Sequence, residues 1–306
     1  MPIPALSENK GNTENGMMCR FFGFSSNQLS DLHNGFWPGI GDNMSTARVL
    51  VAVLLFAHCG PAGHSAAGDS RPGPGDPEAT GHRVLTLLPA ELLSEPAAQQ
   101  VATVLPANES LEWRMYVPTG YDPARPAGLL VYVSPTRSGE IPRGWSDILD
   151  RHNVIWIAAE RSGNGELVAK RILLALLAVS AAKKHYEIDA ERIYISGLSG
   201  GGKTASMVAT DQAQLFRGAI YNCGVEVWDR DEPHRLTEMR ANHYVFVTGT
   251  YDQALEPTRR AFRAYRRAGI ENAKLMVIRH MTHRNPDAHD FEEALTYLDS
   301  RLTSTQ

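Results

Sequence analysis

Cysteine is scarce in this sequence. Cys19, Cys59 and Cys223 are the three cysteines among 306 residues, and their spacing matches no metal-binding motif. So few cysteines argue against a disulfide-stabilised fold, and we expect Cys223 to be the one that lies in the folded body. Because 43% of the residues are apolar, a conventional hydrophobic core is expected, in one large domain or two small ones.

The sequence also lacks an excess of charge and a long apolar run. Its formal net charge is -4 and its pI is about 6.3. The chain therefore lacks the excess of positive charge that proteins use to bind nucleic acid or an anionic membrane. No run reaches the roughly 20 apolar residues that span a bilayer. We therefore expect a small-molecule or neutral ligand, and neither nucleic acid nor a membrane span.

The first 80 residues lack the periodic patterns of a folded domain. Residues 1–43 are polar and glycine-rich, which predicts disorder or an upstream extension of the reading frame. Residues 44–67 have the succession of a secretory signal peptide, although the apolar run also fits a buried strand or helix. Residues 68–80 read as a linker, so we expect a secreted or periplasmic protein whose domain spans 81–306. The signal combines a positive charge, an apolar run and a small-residue cleavage site: Arg48, Val49–Ala57 and Ser65-Ala66-Ala67.

From residue 81 onward, the hydrophobic pattern predicts strands that alternate with helices. The first two strands suit an antiparallel edge, since the second alternates apolar and polar residues, whereas the later strands are continuously apolar, as strands buried on both faces are. This order predicts an α/β fold with a mostly parallel twisted sheet and helices on both faces. The strands are predicted at Arg83–Leu88, Leu111–Val117, Leu129–Val133, Val154–Ala158, Ile193–Ile195, Gly218–Tyr221, Tyr244–Val247 and Leu275–Ile278, and the main helices at Glu166–Tyr186, Glu256–Ala268 and Phe291–Leu302.

One glycine-rich stretch fits two catalytic motifs at once. Gly197–Gly201 has the G-x-S-x-G pattern of a nucleophile elbow, and Gly197–Thr204 has the G-x-x-x-x-G-K-T pattern of a phosphate-binding loop. A nucleotide-binding site also needs an aspartate directly after a second strand to hold magnesium. Asp252 follows its strand only after four further residues, so the context favours the elbow.

The order of three polar residues also fits a hydrolase. Ser199 follows the strand at 192–196, Asp252 follows the strand at 243–248, and His283 follows the strand at 273–279. Serine, acid and histidine occur in this order in the α/β-hydrolase fold, after strands whose carboxyl ends meet at one edge of the sheet. We therefore predict a catalytic triad that needs neither a cofactor nor a metal.

Each role in this triad has rival candidates. Other histidines and acids follow the same strands, and we expect the acids to be solvated loop charges. Lys203 and Thr204 are expected to be surface residues of the elbow helix, and Trp145 and Trp228 either core residues or the rim of the site. The rival histidines are His280 and His289, and the rival acids are Glu226, Asp229 and Asp231.

The oxyanion hole is predicted from backbone N–H groups at two loops. One is the N–H of Gly200, directly after the nucleophile, and the other comes from the loop at 134–138. Because Pro135 has no N–H, Thr136 is the first choice in that loop and Arg137 the second.

These segments resemble a known superfamily. The stretches Arg192–Lys203, Val247–Asp252, Met281–His283 and Asn285–Asp287 are similar to those of secreted serine esterases of the α/β-hydrolase superfamily, nearest to its depolymerase-like and feruloyl-esterase-like members. The resemblance covers about residues 110–302 and implies an enzyme that cleaves small or polymeric esters. Relatives often carry a His-Gly pair where this chain has Ser134–Gly139. The alternative is a secreted binding module that uses the fold without chemistry.

Overall fold

The computed structural model of the chain describes residues 80–228 and 232–300. The predicted extension, signal peptide and linker lie outside these residues, except for residue 80. Asp229 and Asp231 lie outside them as well. No helix within the described residues is long and apolar enough to cross a membrane.

The described residues form one sheet of eight strands, ordered β1-β2-β4-β3-β5-β6-β7-β8. Strand β2 pairs antiparallel with β1 and with β4, and all other neighbours are parallel. This arrangement confirms the predicted antiparallel edge and parallel body. The strands are β1 (Gly81–Leu87), β2 (Leu111–Val117), β3 (Ala127–Val133), β4 (Val154–Ala159), β5 (Ile188–Leu198), β6 (Gly218–Asn222), β7 (His243–Gly249) and β8 (Ala273–Ile278).

Helices connect the parallel strands. The three main helices occur within a few residues of their predicted positions, and the last begins three residues early because Asp287 accepts a hydrogen bond from the Asp290 N–H and caps it. The helices are α1 (Pro89–Leu92), α2 (Glu95–Val101), α3 (Ser146–His152), α4 (Val168–His185), α5 (Gly200–Asp211), α6 (Leu236–Ala241), α7 (Leu255–Arg267) and α8 (Ala288–Asp299).

The sheet is buried on both faces, which explains why its central strands are apolar throughout. Alternate residues of strands β3 to β7 pack with α3 and α8 in one core, where the buried Trp145 indole stacks on Phe291 at 3.7 Å between ring centroids. Helix α4 packs on β3 and β4, and α5 packs on β3, β5 and β6. The predicted fold class, a mostly parallel sheet with helices on both faces, is confirmed.

Candidate active site

The backbone at Ser199 is strained. Strand β5 ends at Leu198 and helix α5 begins at Gly200, so one residue makes the turn, with φ 57° and ψ -120°. A side chain at positive φ costs on the order of 1–3 kcal/mol and is held only by well-packed surroundings. The surroundings are indeed close: a Cβ added at Gly197 would lie 2.4 Å from the Gly201 carbonyl carbon. The serine therefore occupies a sharp strand-to-helix turn.

Asp252 and His283 form a hydrogen-bonded pair. The distance between His283 Nδ1 and Asp252 Oδ1 is 2.7 Å, and the aspartate side chain is fully buried. Thr248 Oγ1 and the Ala254 N–H also donate to this carboxylate, at 2.8 and 2.9 Å. Burial raises the pKa of Asp252, but hydrogen bonds from Cys223, Ala254, His283 and Thr248 together outweigh it, so the pKa is lowered. The carboxylate is thus kept ionised beside the histidine.

Cys223 lies directly beside this pair. Its Sγ and one ligand atom each of Asp252 and His283 lie within 4.8 Å of one another. Burial is the main cause that raises the pKa of the Cys223 thiol, so the group stays protonated. Its one proton serves either the Asp252 carboxylate or the Arg284 carbonyl, which lies 3.3 Å from Sγ. A metal at this cluster would have to displace that proton and the Asp252–His283 bond.

The loop that carries His283 is anchored on both sides. On one side the Met281 carbonyl accepts from the Tyr251 N–H at 3.1 Å, and the Met281 side chain is fully buried. On the other side Asn285 Nδ2 donates to the Tyr132 hydroxyl at 2.9 Å. The imidazole is therefore held between two fixed points of its loop.

Ser199 and His283 line one cleft of about 800 Å³, together with Gly200 and Cys223. Within the described part of the chain, the Ser199 hydroxyl has no hydrogen-bond partner. The serine–histidine bond is often long or poorly aligned in unliganded hydrolases and tightens around the substrate. The cleft thus brings the predicted nucleophile and the predicted base to the same open space.

Of the two predicted oxyanion donors, Gly200 lines the cleft and Thr136 does not, and a polar side chain that was not predicted lies beside Gly200. The Thr136 N–H donates to Ser134 Oγ at 3.1 Å, so a substrate would have to replace that bond. The side-chain amide of Asn164 lies so close to Gly200 that a Cβ added there would be 2.2 Å from Asn164 Oδ1. Asn164 also lines the cleft. Asn164 was not predicted as a site residue, because the turn after β4 lies beside the elbow only in the folded chain.

Arg171, a second residue that was not predicted, forms hydrogen bonds with three segments around the site. Its guanidinium is 4% exposed and donates to the carbonyls of Ser162, Ser134 and Gly200 at 2.8, 3.1 and 3.2 Å. Burial lowers the pKa of this guanidinium, yet an arginine side chain remains charged in proteins. A buried cation therefore sits beneath the elbow and the oxyanion loop.

The described rival candidates form other interactions, although Glu226 also lines the cleft. His280 Nδ1 is hydrogen-bonded to the Tyr251 hydroxyl at 3.0 Å, and neither His280 nor His289 lines the cleft. Glu226 is exposed and forms an ion pair with Lys203 at 3.3 Å. The geometry thus supports Asp252 and His283 over these alternatives.

The structure also shows whether four further residues named in the sequence analysis are buried or exposed. Trp145 is a core residue, whereas Trp228 is partly buried and lines the cleft. Lys203 is exposed, as expected. The expectation of a surface position for Thr204 is wrong: it is 2% exposed, and its hydroxyl donates to the Gly200 carbonyl at 3.1 Å. The Thr204 hydroxyl is therefore bonded to the first turn of its own helix, and the sharp turn at Ser199 favours the elbow over the phosphate loop.

Comparisons with known proteins agree with this architecture. Residues 175–281 match the model of the prolyl oligopeptidase family, a range that includes Ser199 and Asp252 and ends just before His283. No curated protein gives a significant match.

Several solved structures share the fold at low sequence identity. A ferulic acid esterase has a TM-score of 0.52 and 14% identity, over 72% of this chain and 99% of that one. A feruloyl esterase module from Clostridium thermocellum, complexed with sinapinate, has a TM-score of 0.52 and 15% identity, over 78% and 97%. A thermostable esterase has a TM-score of 0.53 and 16% identity over 72% of this chain, which spans 62% of that one. The resemblance predicted from the sequence is confirmed at the level of fold: the chain has the α/β-hydrolase fold.

Proposed function

We propose that the protein is a serine hydrolase that cleaves carboxylic esters with Ser199, His283 and Asp252. The observation that carries the proposal is the buried Asp252 carboxylate, bonded at 2.7 Å to a histidine that shares a cleft with a strained serine. Backbone strain at a polar residue in a cleft is typical of functional sites. A binding module without chemistry has no need of this combination, so catalysis is the better account.

The reaction follows from the positions of these groups. His283 takes the hydroxyl proton as Ser199 Oγ attacks the ester carbonyl carbon, and Asp252 stabilises the resulting imidazolium. The Gly200 N–H, with a donor from Thr136 or Asn164, holds the negative charge on the carbonyl oxygen. The bond to the alcohol then breaks, His283 gives its proton to the departing oxygen, and the acyl group stays on Ser199. A water molecule, deprotonated by His283, then attacks the acyl carbon, the bond to Ser199 Oγ breaks, and His283 returns the proton to Ser199 as the acid is released.

The choice of ester over peptide rests on the structural neighbours. The family model that matches residues 175–281 is named for oligopeptidases, and one similar structure, matched over 35% of its own chain, is described as a putative dipeptidyl aminopeptidase IV. The three structures named above are instead described as esterases. The coverage is also higher for the ferulic acid esterase, 99% of whose chain is matched. We therefore infer an ester substrate, either a small molecule or a polymer, and no cofactor.

The triad is tested by substitutions with a matched control. Ser199→Ala and His283→Ala should each lower kcat by several orders of magnitude, and Asp252→Asn by about four, because the three residues act as one unit and the asparagine favours the wrong imidazole tautomer. His280→Ala serves as the control, since His280 is bonded to Tyr251. Hydrolysis of 4-nitrophenyl butyrate and of the matching 4-nitroanilide is measured, and the ester should be cleaved faster.

Two results would contradict the proposal. One is loss of activity in His280→Ala with full activity in His283→Ala, which would reassign the base. The other is a wild-type protein that neither cleaves the ester nor forms a covalent adduct with a fluorophosphonate at Ser199. That second result would favour a binding module.

We further propose that the protein is exported to the periplasm or the medium. The support is the sequence of residues 44–67, with its positive, apolar and small-residue segments.

A further inference from the structure

The cleft extends beyond the triad between two walls. One wall is the segment at 224–228, and the other is one face of helix α7, from which residues at helical spacing line the space. The lining also includes the apolar residues Val225 and Ala261. A ligand that occupies the whole cleft therefore contacts apolar residues as well as the charged residues of α7. Ala254 directly precedes α7, and the residues that α7 itself contributes are Pro257, Thr258, Arg260, Ala261, Ala264 and Arg267.

The part of the cleft lined by the exposed residues Arg260 and Arg267, here called the outer cleft, carries uncompensated positive charge. Lys203 and Glu226 both line the cleft and neutralise each other in an ion pair. Arg260 and Arg267 are exposed, and neither has a hydrogen bond or an ion pair with any described residue. The described lining thus has three cationic side chains and one carboxylate, an excess of two positive charges.

Helix α7 fixes the positions of Arg260 and Arg267. Ala261 and Tyr265 are 2% and 0% exposed, so α7 is packed against the sheet along its inner face. Other arginines of the same helix are engaged away from the cleft: Arg259 pairs with Glu256, and Arg266 donates to the Glu271 carbonyl. Helix α7 therefore holds the two unpaired guanidinium groups at fixed positions in the cleft. A lining with a net positive charge attracts ligands of negative charge.

We propose that the outer cleft is an anion subsite, and that the preferred substrates are esters with a carboxylate or similar anionic group several bonds from the scissile carbonyl. Guanidinium groups bind carboxylates through paired N–H donors, which makes arginine suited to this role. The inference rests on the proposed ester hydrolysis and adds the charge of the substrate to it.

The test uses ester pairs that differ in one charge. The mono(4-nitrophenyl) esters of adipic and suberic acid are compared with the 4-nitrophenyl esters of the neutral acids of equal chain length, and kcat/KM is measured for each. These diacids are long enough that their own carboxylate does not efficiently attack the ester. At low ionic strength the wild-type protein should prefer the charged ester of a pair by roughly fivefold or more, a preference that added salt should reduce.

The variants locate the effect. Arg260→Gln/Arg267→Gln should lose the preference, by on the order of fivefold in kcat/KM, and should cleave the neutral esters as the wild type does. Arg263→Gln is the matched control, because Arg263 is exposed on the same helix and does not line the cleft. Asp229→Asn/Asp231→Asn tests two acids that follow Trp228 in the sequence, and it should keep or raise the preference.

The outcomes separate the two proposals. Equal kcat/KM for charged and neutral esters in the wild type overturns the anion subsite and leaves the esterase intact. A loss of preference in Arg263→Gln equal to that in the double variant also overturns it, since the effect would then come from net charge alone. If no ester is cleaved, the proposed function itself fails, and the subsite falls with it.

Discussion

At the scale of single residues, Arg171 is the least expected feature of the site. A buried charge is costly unless it is hydrogen-bonded, and here three backbone carbonyls, rather than a carboxylate, satisfy the guanidinium. Two of these carbonyls belong to Ser134 and Gly200, whose loops supply the predicted oxyanion donors. We therefore propose that Arg171 is a positioning residue, which holds these two loops at a fixed distance without a contact to the proposed reacting atoms.

The prediction for Arg171 separates positioning from stability. Arg171→Met should lower kcat by about 10²-fold with little change in KM, because small displacements of catalytic groups have effects of this size. Arg171→Lys should recover little of the loss, since an ammonium group cannot reach three carbonyls at once. The affinity for a phenylboronic acid, which depends on the oxyanion hole, should fall in parallel with kcat.

The control for this prediction is Arg192→Met. Arg192 is also largely buried, with a side chain 12% exposed, but it pairs with Asp299 instead of contacting the site loops. It should lower the free energy of unfolding without a change in boronate affinity. If Arg171→Met behaves in the same way, Arg171 has a structural role only.

The candidate site residues were predictable from sequence to different degrees. Ser199 stands in a local motif, and Asp252 and His283 follow predicted strands, so their order was enough to propose them together. Arg171 and Asn164 carry no local signal, because their partners lie on loops distant in sequence. The error at Thr204 has the same origin: a polar residue in a helix gives no indication of which face is packed.

At the scale of elements, the end of helix α8 is held by one carboxylate. Asp299 accepts hydrogen bonds from Arg192 Nε at 3.1 Å and the Tyr194 hydroxyl at 2.9 Å, and it is bonded to His152 Nδ1 at 2.8 Å. These partners belong to β5 and α3, so the carboxylate joins three elements. Burial raises the pKa of Asp299, but the bonds from His152 and Arg192 outweigh it, and the pKa is lowered.

We predict that Asp299→Asn lowers the free energy of unfolding at neutral pH by about 2–3 kcal/mol, because Arg192 is left without its partner. A lowered pKa in the folded state stabilises the protein fully only above the ordinary aspartate pKa of about 3.9. The difference between wild type and variant should therefore shrink as the pH falls from about 4 toward the pKa of the folded state. Denaturant titrations at several pH values measure it.

The matched control is on the same helix. Glu292 forms an ion pair with Arg151 at 2.8 Å, but both side chains are well exposed. Glu292→Gln should change the free energy of unfolding by less than about 1 kcal/mol. Equal effects of the two substitutions would show that the burial of Asp299 contributes nothing.

The elements themselves were predicted unevenly, for physical reasons. Buried parallel strands are apolar throughout, so each gave a clear signal, and the ends differ by a few residues. Strand β5 was predicted as Ile193–Ile195 and extends over Ile188–Leu198, because its first half is polar and partly exposed. The short helices α1, α2, α3 and α6 were not predicted, since segments of four to seven residues are too short to show a helical period.

At the scale of the whole molecule, the net charge conceals an uneven distribution. A formal charge of -4 led to the expectation of a small or neutral ligand. Helix α7 nevertheless carries five arginines in 13 residues, and two of them line the cleft. A sum over the chain cannot reveal this, because the distribution of charge on the surface depends on the fold.

The proposed export gives a prediction for the whole chain. All eight strands and every candidate site residue lie between residues 80 and 300, so a protein that begins at Gly68 should have the thermal unfolding midpoint and the esterase activity of the full chain. N-terminal sequencing of exported material should find a start near Gly68. Exported protein that still begins before Met44 would contradict the signal peptide, and loss of folding in the shortened protein would contradict the domain boundary.

The proposed triad and the outer cleft differ in how freely their residues can change over evolution. Ser199, Asp252 and His283 stand on loops fixed by strained backbone and buried hydrogen bonds, so most substitutions around them disturb the fold. The outer cleft lies on α7, where the exposed Arg260 and Arg267 have no side-chain hydrogen bond or ion pair with a described residue. Exchange of these two side chains can thus change the substrate preference without a change in the proposed triad.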